Sequence, residues 1–259
     1  MGRAKEIIVK VLPAKIANDF VMKHHYSGKV APNSNLHFGA FLDGKLHGVL
    51  SYGPSIVKDN IIGLVEGTEW NGFLELNRMA FDDYLPKNSE SFCIAKSIRM
   101  IKKQAPQIKW IVSFADGAQC GDGTIYRASN FVLTSIKENT TILVLPNGEK
   151  ITSFLISAHP DALPLQRCAK FLGVPMKRYK VSDWIKMGAK RIPGFQLRYI
   201  YFIDPKYRKR LTVPEIPFSK IDEMGAGMYK GENVSRESRH EIKSEAQLAR
   251  EAAKDIKKT

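Results

Sequence analysis

The chain of 259 residues carries 40 Lys and Arg against 26 Asp and Glu, a formal net charge of +14, and 44% of its residues are hydrophobic. This composition excludes wholesale disorder, and no apolar run approaches the ~20 residues of a membrane-spanning helix. Three scattered cysteines exclude a disulfide scaffold and a thiolate zinc cluster, and the N-terminal sequence lacks the pattern of a secretory signal. We therefore expect a basic, cytoplasmic protein with no membrane partner.

The first part of the chain alternates strand and helix patterns. Apolar alternation predicts strands over residues 7–12, 36–42, 46–52 and 73–81, and helical spacing predicts helices over residues 14–25 and 91–104. The Asp43-Gly44 pair between the second and third strands predicts a two-residue hairpin.

The second part begins with an apolar strand over residues 108–115, which stops at Asp116-Gly117, and a short helix over residues 124–129. Strands over residues 131–137, 141–145 and 151–156 are predicted to form a meander. One or two short helices within residues 161–188 and a last strand over residues 195–203 complete the order. This order predicts an α/β fold with a mixed central sheet flanked by helices.

Positive charge is concentrated between Arg167 and Arg210, where 13 Lys or Arg and two acids give a net charge of +11. Aromatic residues are interleaved with these cations. Because cations neutralise phosphates and rings stack on bases, this composition favours a nucleic-acid surface over a merely solvated one. The candidate DNA-contacting residues are Lys177, Arg178, Lys190, Arg191, Arg198 and Tyr199.

The composition also predicts how the chain is divided. A globular domain is expected over residues 1–220, with a basic helical insert over residues 161–194, and a flexible tail over residues 221–259. From Gly231 onward, seven Lys or Arg are balanced by six Asp or Glu, and no aromatic residue occurs. A helix-forming stretch at residues 244–254 has almost no apolar face to bury.

Three blocks of sequence carry a resemblance to a known family. The first comprises residues 25–28, 36–41 and 48–54, the second residues 75–82 and 86–91, and the third residues 113–116, Gln119 and residues 123–131. Together they resemble the Mom family of bacteriophage DNA-modification proteins, from about residue 6 to about residue 218. A basic strand at residues 196–201 is similar to a further segment of the family, without the histidine of that segment.

The resemblance implies a GNAT-like fold and an enzyme that transfers a carbamoylmethyl-type group to adenine N6 in double-stranded DNA. Such a modification protects phage DNA from host restriction. The resemblance also points to iron as a cofactor. Two other functions stay open, namely a conventional GNAT N-acyltransferase acting on a small amine or protein, and a DNA-binding protein without catalytic activity. The oligomeric state is open as well, with a dimer among the alternatives.

Adenine N6 is a weak nucleophile because its lone pair is delocalised into the ring, so the enzyme needs a group that takes the N6 proton. Asp116 at the end of a buried strand is the candidate base, and its alternative role is a turn or helix cap. Tyr126 matches the place of a proton-donating tyrosine in GNAT enzymes, with a core ring as the alternative. The resemblance adds His25, Tyr26 and Ser27 to the candidate catalytic residues.

The donor of the transferred group is expected near the end of the strand over residues 73–81 and the loop that follows it. Candidate cofactor-binding residues are Asn77, Arg78, Asn88, Ser89 and Ser91. The GNAT-like fold suggests an acyl-CoA-like donor. However, residues 86–91 lack the glycines of the pyrophosphate loop in ordinary GNAT enzymes, and Glu90 opposes an anion. A thioester also delivers an acyl group, whereas carbamoylmethyl is attached through an alkyl carbon.

Three further features are left open by the sequence. A metal site would draw on His25, His37 and Asp116, although no local spacing of these residues supports one. Arg127 is expected to pair either with a phosphate or with Asp122. Cys120-Gly121 stands where the family pattern has Gly-His, which puts the role of that position in doubt.

Overall fold

The computed structural model describes residues 3–117, 121–229 and 232–233. The strands, in chain order, are β1 Ile8–Val11, β2 Leu36–Leu42, β3 Lys45–Gly53, β4 Phe73–Phe81, β5 Trp110–Asp116, β6 Val132–Glu138, β7 Ile142–Val144, β8 Lys150–Thr152, β9 Lys190–Arg191, β10 Phe195–Phe202, β11 Met228–Tyr229 and β12 Glu232–Asn233. The helices are α1 Ala14–His24, α2 Lys58–Ile62, α3 Ser89–Gln104, α4 Thr124–Ala128, α5 Ser153–Ala158, α6 Leu163–Leu172, α7 Val181–Lys186 and α8 Ser219–Glu223. Two 3-10 helices span Arg3–Glu6 and Pro205–Arg210.

Seven strands form the central sheet, in the order β1-β2-β3-β4-β5-β10-β6. The hairpin between β2 and β3 turns at Asp43 (φ 51°) and Gly44 (φ 76°), because a two-residue turn of this hand needs both residues in the left-handed region. The predicted hairpin and the predicted mixed central sheet are both confirmed.

The only parallel pair of this sheet is formed by β4 and β5, and α3 provides the crossover that such a pair requires. The pairing covers residues 73–75 of β4 and residues 110–112 of β5. Beyond that point β4 continues along β3, and β5 continues along β10. The two strands therefore diverge toward their C-terminal ends and leave an opening in the sheet, which we call the fork.

Apolar residues cover the two faces of the sheet differently. On one face, here the α3 face, Ile94 and Ile98 of α3 pack with Leu50, Tyr52 and Tyr199 in the largest core cluster. The opposite face, here the α1/α2 face, is covered in two separate parts.

The opposite face shows this division in its two clusters. Under α1, Val21 packs with Val49 and Ala80. Under α2, Ile61 packs with Trp110 and Val112.

A second, smaller sheet has the order β8-β7-β9 and packs with α5, α6 and α7 around its own core of Leu143, Ile156, Leu165 and Trp184. The predicted meander is therefore only partly correct, since β7 and β8 pair as an antiparallel hairpin but β6 lies beside β10 in the central sheet. Asn139 stands at the junction of the two units, where its side-chain amide donates to the carbonyl oxygen of Ile192 (2.8 Å). We call residues 139–194 the insert unit, which begins before the basic helical insert expected at residues 161–194.

The strand predicted over residues 151–156 is only half correct. β8 ends at Thr152, whose hydroxyl accepts a hydrogen bond from the backbone N–H of Leu155 (3.3 Å) and so caps α5. The helix leaves Phe154 exposed and buries Ile156 in the core of the insert unit. A threonine cap thus overrides the β-branched pattern.

The other predicted strands and helices are found with shifts of one or two residues at their ends, whereas α2 and α8 were not predicted. Ile221 and Ala226 are fully buried in the main core, so the packed part of the chain extends past residue 220. The helix-forming stretch at residues 244–254 lies outside the described residues.

Candidate active site

The fork begins where Ser113 of β5 donates its hydroxyl hydrogen to the carbonyl oxygen of Leu76 on β4 (3.2 Å). On the β4 side, the register with β3 shifts between Ser51 and Tyr52, which leaves Asn77 as an extra residue in β4. Such a bulge re-aims side chains next to functional sites. The amide oxygen of Asn77, which is buried, accepts a hydrogen bond from the Ser34 hydroxyl (3.0 Å).

Asp116 is the last residue of β5 and lies opposite Gln196 of β10, as the sequence predicted for a carboxylate at the end of a buried strand. Its side chain is half-buried. Its carbonyl oxygen accepts a hydrogen bond from the backbone N–H of Gly121 (3.2 Å), so Gly121 lies against the end of the strand. Gln119 and Cys120, which the sequence singled out, lie outside the described residues.

His25, Tyr26 and Ser27 follow α1 directly and form a compact turn. The Nδ1 atom of His25 lies 2.8 Å from the Ser27 hydroxyl and accepts a hydrogen bond from the Ser27 backbone N–H (3.2 Å). Burial, helped by the positive charge of Arg78, lowers the pKa of His25 to about 4. The ring is therefore neutral near pH 7 and carries its proton on Nε2.

Arg78 connects this turn to the fork. Its guanidinium donates to the carbonyl oxygens of Lys29 (3.1 Å) and Asn77 (2.7 Å). Two backbone acceptors thus hold the charge of Arg78 beside the His25 turn. The structure therefore brings His25, Ser27, Asn77 and Arg78 into one group at the β4 side of the fork.

Tyr126 of α4 lies in the main core. Its ring is buried and is centred 5.3 Å from the ring of Tyr199 and 5.4 Å from the ring of Phe131. This placement corresponds to the core alternative that the sequence left open. Asp122, just before α4, accepts a hydrogen bond from Thr124 (2.9 Å) and lies 3.5 Å from the guanidinium of Arg127. This ion pair with Asp122 is one of the two roles predicted for Arg127.

The candidate donor loop precedes α3. Asn88 adopts the left-handed conformation (φ 68°), and Ser91 donates its hydroxyl hydrogen to the carbonyl oxygen of Asn88 (3.1 Å). The Ser89 side chain is fully buried and donates to the carbonyl oxygen of Pro86 (2.5 Å), so it does not face a ligand. The backbone turn keeps these hydroxyl groups occupied, and the sequence did not reveal this.

A groove of about 570 Å³ runs between α3, α4 and β10 on the α3 face, and Asn88 and Ser91 line one part of it. Its cationic lining residues are Lys5, Lys87, Arg99 and Lys102. Lys5, Arg99 and Lys102 were not predicted as functional residues, although the spacing of Arg99 and Lys102 on a predicted helix was a signal that both lie on one side.

A second cavity, of about 480 Å³, lies on the α1/α2 face and is lined by residues that include Glu75, Phe114, Gln196 and Arg198. Burial raises the pKa of Glu75, an effect that nearby polar groups, Ser55 first among them, partly offset. Glu75 was not predicted as a functional residue, although a carboxylate between Leu74 and Leu76 in an apolar strand was a usable signal.

The predicted DNA-contacting residues are divided by the structure. Tyr199 cannot contact DNA, because its side chain is fully buried and its hydroxyl donates to the carbonyl oxygen of Asp122 (2.5 Å). Arg198 is half-buried, donates to Thr134 and lines the second cavity. Lys177, Arg178, Lys190 and Arg191 are exposed on the insert unit.

The suggested metal ligands are not assembled. His37 is buried and its Nδ1 lies 2.9 Å from the Ser51 hydroxyl, while His25 is engaged by Ser27. Within residues 3–117 and 121–229, no group of three or more His, Cys, Asp or Glu side chains is placed to hold a metal ion. The described residues therefore do not fit an iron site. No helix of this part of the chain is long and apolar enough to cross a membrane.

Comparison with known proteins gives one family and one relative. The Mom protein family matches residues 6–220. The Methylcarbamoylase mom of Escherichia phage Mu is 36% identical over 210 residues, which cover 81% of this chain and 80% of that protein.

Solved structures of acetyltransferases are similar at low identity. An N-acetyltransferase from Staphylococcus aureus Mu50 has a TM-score of 0.41 at 10% identity and covers 76% of this chain and 99% of that one. The ribosomal-protein-S18-alanine N-acetyltransferase from Escherichia coli has a TM-score of 0.40 at 9% identity and covers 76% of this chain and 94% of that one.

Proposed function

The chain belongs to the Mom protein family, and we propose that it is a DNA-modifying transferase that attaches a carbamoylmethyl-type group to adenine N6 in double-stranded DNA. One observation carries this proposal, namely the 36% identity to the phage Mu methylcarbamoylase over four fifths of both chains. In a phage-infected cell, the modification would protect the viral DNA from host restriction enzymes.

The fork supplies the group that such a transfer needs. The N6 lone pair attacks the alkyl carbon of the donor, the bond from that carbon to its leaving group breaks with its electron pair, and the N6 proton passes to a base. Asp116 fits the base because it ends β5, is half-buried and stands beside the opening. A base in this position contributes roughly 10²–10⁴-fold to the rate.

The neutral His25 and the charge of Arg78 stand on the other side of the fork. We assign His25, Tyr26 and Ser27 the role of orienting the reacting groups, because His25 is held by Ser27 and carries a hydrogen-bond donor on Nε2. Arg78, fixed by two backbone carbonyls, offers positive charge to an anionic leaving group. Tyr126 is a packing residue in this account because it lies in the core.

The groove on the α3 face is the proposed donor site. Lys5, Lys87, Arg99 and Lys102 give it positive charge, which suits a donor that bears phosphate or another anionic group. Asn88 and Ser91 lie at the part of the groove next to the N-terminus of α3, where backbone N–H groups favour anions. No step of the reaction is assigned to iron.

The exposed cations of the insert unit are the proposed contacts to the phosphate backbone. Lys177, Arg178, Lys190 and Arg191 do not belong to the fork, so they position DNA without taking part in the chemistry.

Mass spectrometry of nucleosides from the DNA of cells that express the chain tests the proposal. We expect a new, heavier adenine nucleoside in cells with the wild-type chain. If cells contain the folded protein and accessible DNA but no such nucleoside, the result would contradict the proposed function.

A further inference from the structure

The cavity on the α1/α2 face has the size and position of a substrate pocket that the donor and base assignments leave unused. Its volume of about 480 Å³ lies within the ~300–1,000 Å³ typical of small-ligand sites. Gln196 lines it and is paired in register with Asp116, which places the cavity beside the proposed base. It lies on the face of the central sheet opposite the donor groove.

The inner lining of the cavity complements a purine with an exocyclic amine. Glu75 lines the cavity, and burial raises the pKa of its carboxyl group, which favours the form that both donates and accepts a hydrogen bond. Adenine offers the matching pair, with an acceptor at N1 and a donor at N6. The ring of Phe114 forms another part of the wall and supplies an apolar surface for a base.

A buried hydroxyl group stands beside the carboxyl group of Glu75 in the same wall. Ser55 lines the cavity and is only 6% exposed. Its hydroxyl group is a hydrogen-bond partner of the Glu75 carboxyl group and lowers the pKa of that group, against the larger effect of burial. The two polar groups therefore stand together in the lining of the cavity.

The rim of the cavity is apolar and exposed. Ile56 and Val57, between β3 and α2, have relative exposures of 77% and 52%, and both line the cavity mouth. Next to them, the Lys58 ammonium lies 4.1 Å from the centre of the Trp70 ring, which is itself exposed. Exposed aliphatic side chains beside cations are what proteins use to wedge between DNA bases.

We propose that this cavity receives an adenine flipped out of the duplex, with Glu75 reading its N1 and N6 edge, and that Ile56 and Val57 fill the gap left in the base stack. The inference rests on the proposed function, because it names where the substrate base of that reaction is held. It also explains how the enzyme reaches N6, which is inaccessible to a transferase while the base is stacked and paired.

The pocket is tested by binding duplexes that carry one adenine, or one guanine, opposite an abasic site, so that no pairing energy opposes extrusion. A bidentate contact to a base edge discriminates by roughly 5- to 150-fold. We expect wild-type protein to prefer the adenine duplex within this range, Glu75→Gln to keep the preference, and Glu75→Leu to reduce it to less than ~2-fold. Glu69→Leu, a matched change of an exposed carboxylate, should leave it intact.

A wild-type protein without preference for adenine would overturn the pocket assignment. The same holds for a Glu75→Leu variant that is folded and discriminates as the wild type does. Glu75→Gln distinguishes recognition by a hydrogen-bonding edge from an effect of charge, since only the former survives this change.

The wedge is tested by the fluorescence of 2-aminopurine placed next to the target adenine in a duplex, because the fluorescence rises when the neighbouring base leaves the stack. We expect wild-type protein to raise it, and the double variant Ile56→Ser with Val57→Ser to lose most of the rise while duplex affinity changes by less than ~3-fold. Ile8→Ser, an exposed aliphatic residue on β1, is the control. An unchanged rise in the double variant would contradict the wedge.

Neither binding measurement needs the donor or turnover. If cells yield no modified adenine but the adenine preference depends on Glu75, the proposed transfer fails and the pocket stands. If modified adenine is formed but Glu75→Leu binds and discriminates normally, the pocket fails and the transfer stands.

Discussion

The central sheet and the insert unit are both built around buried apolar cores, but their polar residues differ in burial and in hydrogen bonding. Around the fork, polar groups are half-buried and held by specific partners, as in the His25–Ser27 and Arg78–Lys29 contacts. On the insert unit the cations are exposed, and those named for DNA are available to solvent. We propose from this difference that the chemistry and the contacts to the DNA backbone belong to separate parts of the molecule.

Truncation of Trp184 should have the greatest effect, and it tests whether the two units are stabilised independently. Trp184→Ala removes the largest buried side chain of the insert core, and such a truncation costs about 3–5 kcal/mol. Because Trp184 belongs to a separate cluster, we expect hydrogen exchange to accelerate in α6 and α7 while the amides of β3, β4 and β5 stay protected. Uniform loss of protection in both sheets would show that the units fold as one.

A second change tests whether the insert cations only bind DNA. Replacing Lys177, Arg178, Lys190 and Arg191 by Ala should weaken DNA binding for all sequences alike. The slope of log affinity against log salt should fall by ~0.9 for each phosphate that the variant no longer neutralises. The matched control replaces Lys23, Lys45, Lys96 and Lys103, which lie on the central-sheet unit. An unchanged salt slope in the insert variant would show that the insert unit is not part of the DNA interface.

The least change is expected in the pH dependence of stability, which tests the burial of His25 at the fork. The pKa of His25 is about 4 in the folded protein, below its ordinary value near 6.5, so the unfolded chain binds the proton more readily between these values. Stability contributed by neutral His25 is complete above pH 6.5 and is lost as the pH falls toward 4. Urea unfolding at a series of pH values should show a shallower decline in His25→Gln than in the wild type. An identical pH dependence would mean that the ring is not desolvated at the fork.

The sequence was informative where a local pattern decides the structure. The Asp43-Gly44 turn, the strand that leads to Asp116 and the helix before His25 follow from short-range rules. The place of β6 beside β10, and the separate sheet of the insert unit, depend on long-range pairing that no local pattern encodes.

Burial accounts for the site residues that the sequence misplaced. Tyr199 and Arg198 are neighbours in a basic, aromatic stretch, yet strand alternation sends Tyr199 into the core and Arg198 to the second cavity. Ser89 looked like a helix cap facing an anion, but its hydroxyl turns inward to Pro86. Glu75 was not predicted although a carboxylate between two leucines is unusual in an apolar strand, because the cavity that it lines is formed by elements distant in sequence.

We propose that Asp116 performs chemistry at the fork while the insert unit holds DNA. The most direct test compares Asp116→Asn with the wild type, by nucleoside mass spectrometry of DNA from expressing cells and by duplex affinity of the purified proteins. We predict that the modified adenine falls at least ~100-fold, as expected for loss of a general base, while DNA affinity stays within ~3-fold. Modification at the wild-type level in Asp116→Asn, or a matching collapse of DNA affinity, would contradict the account.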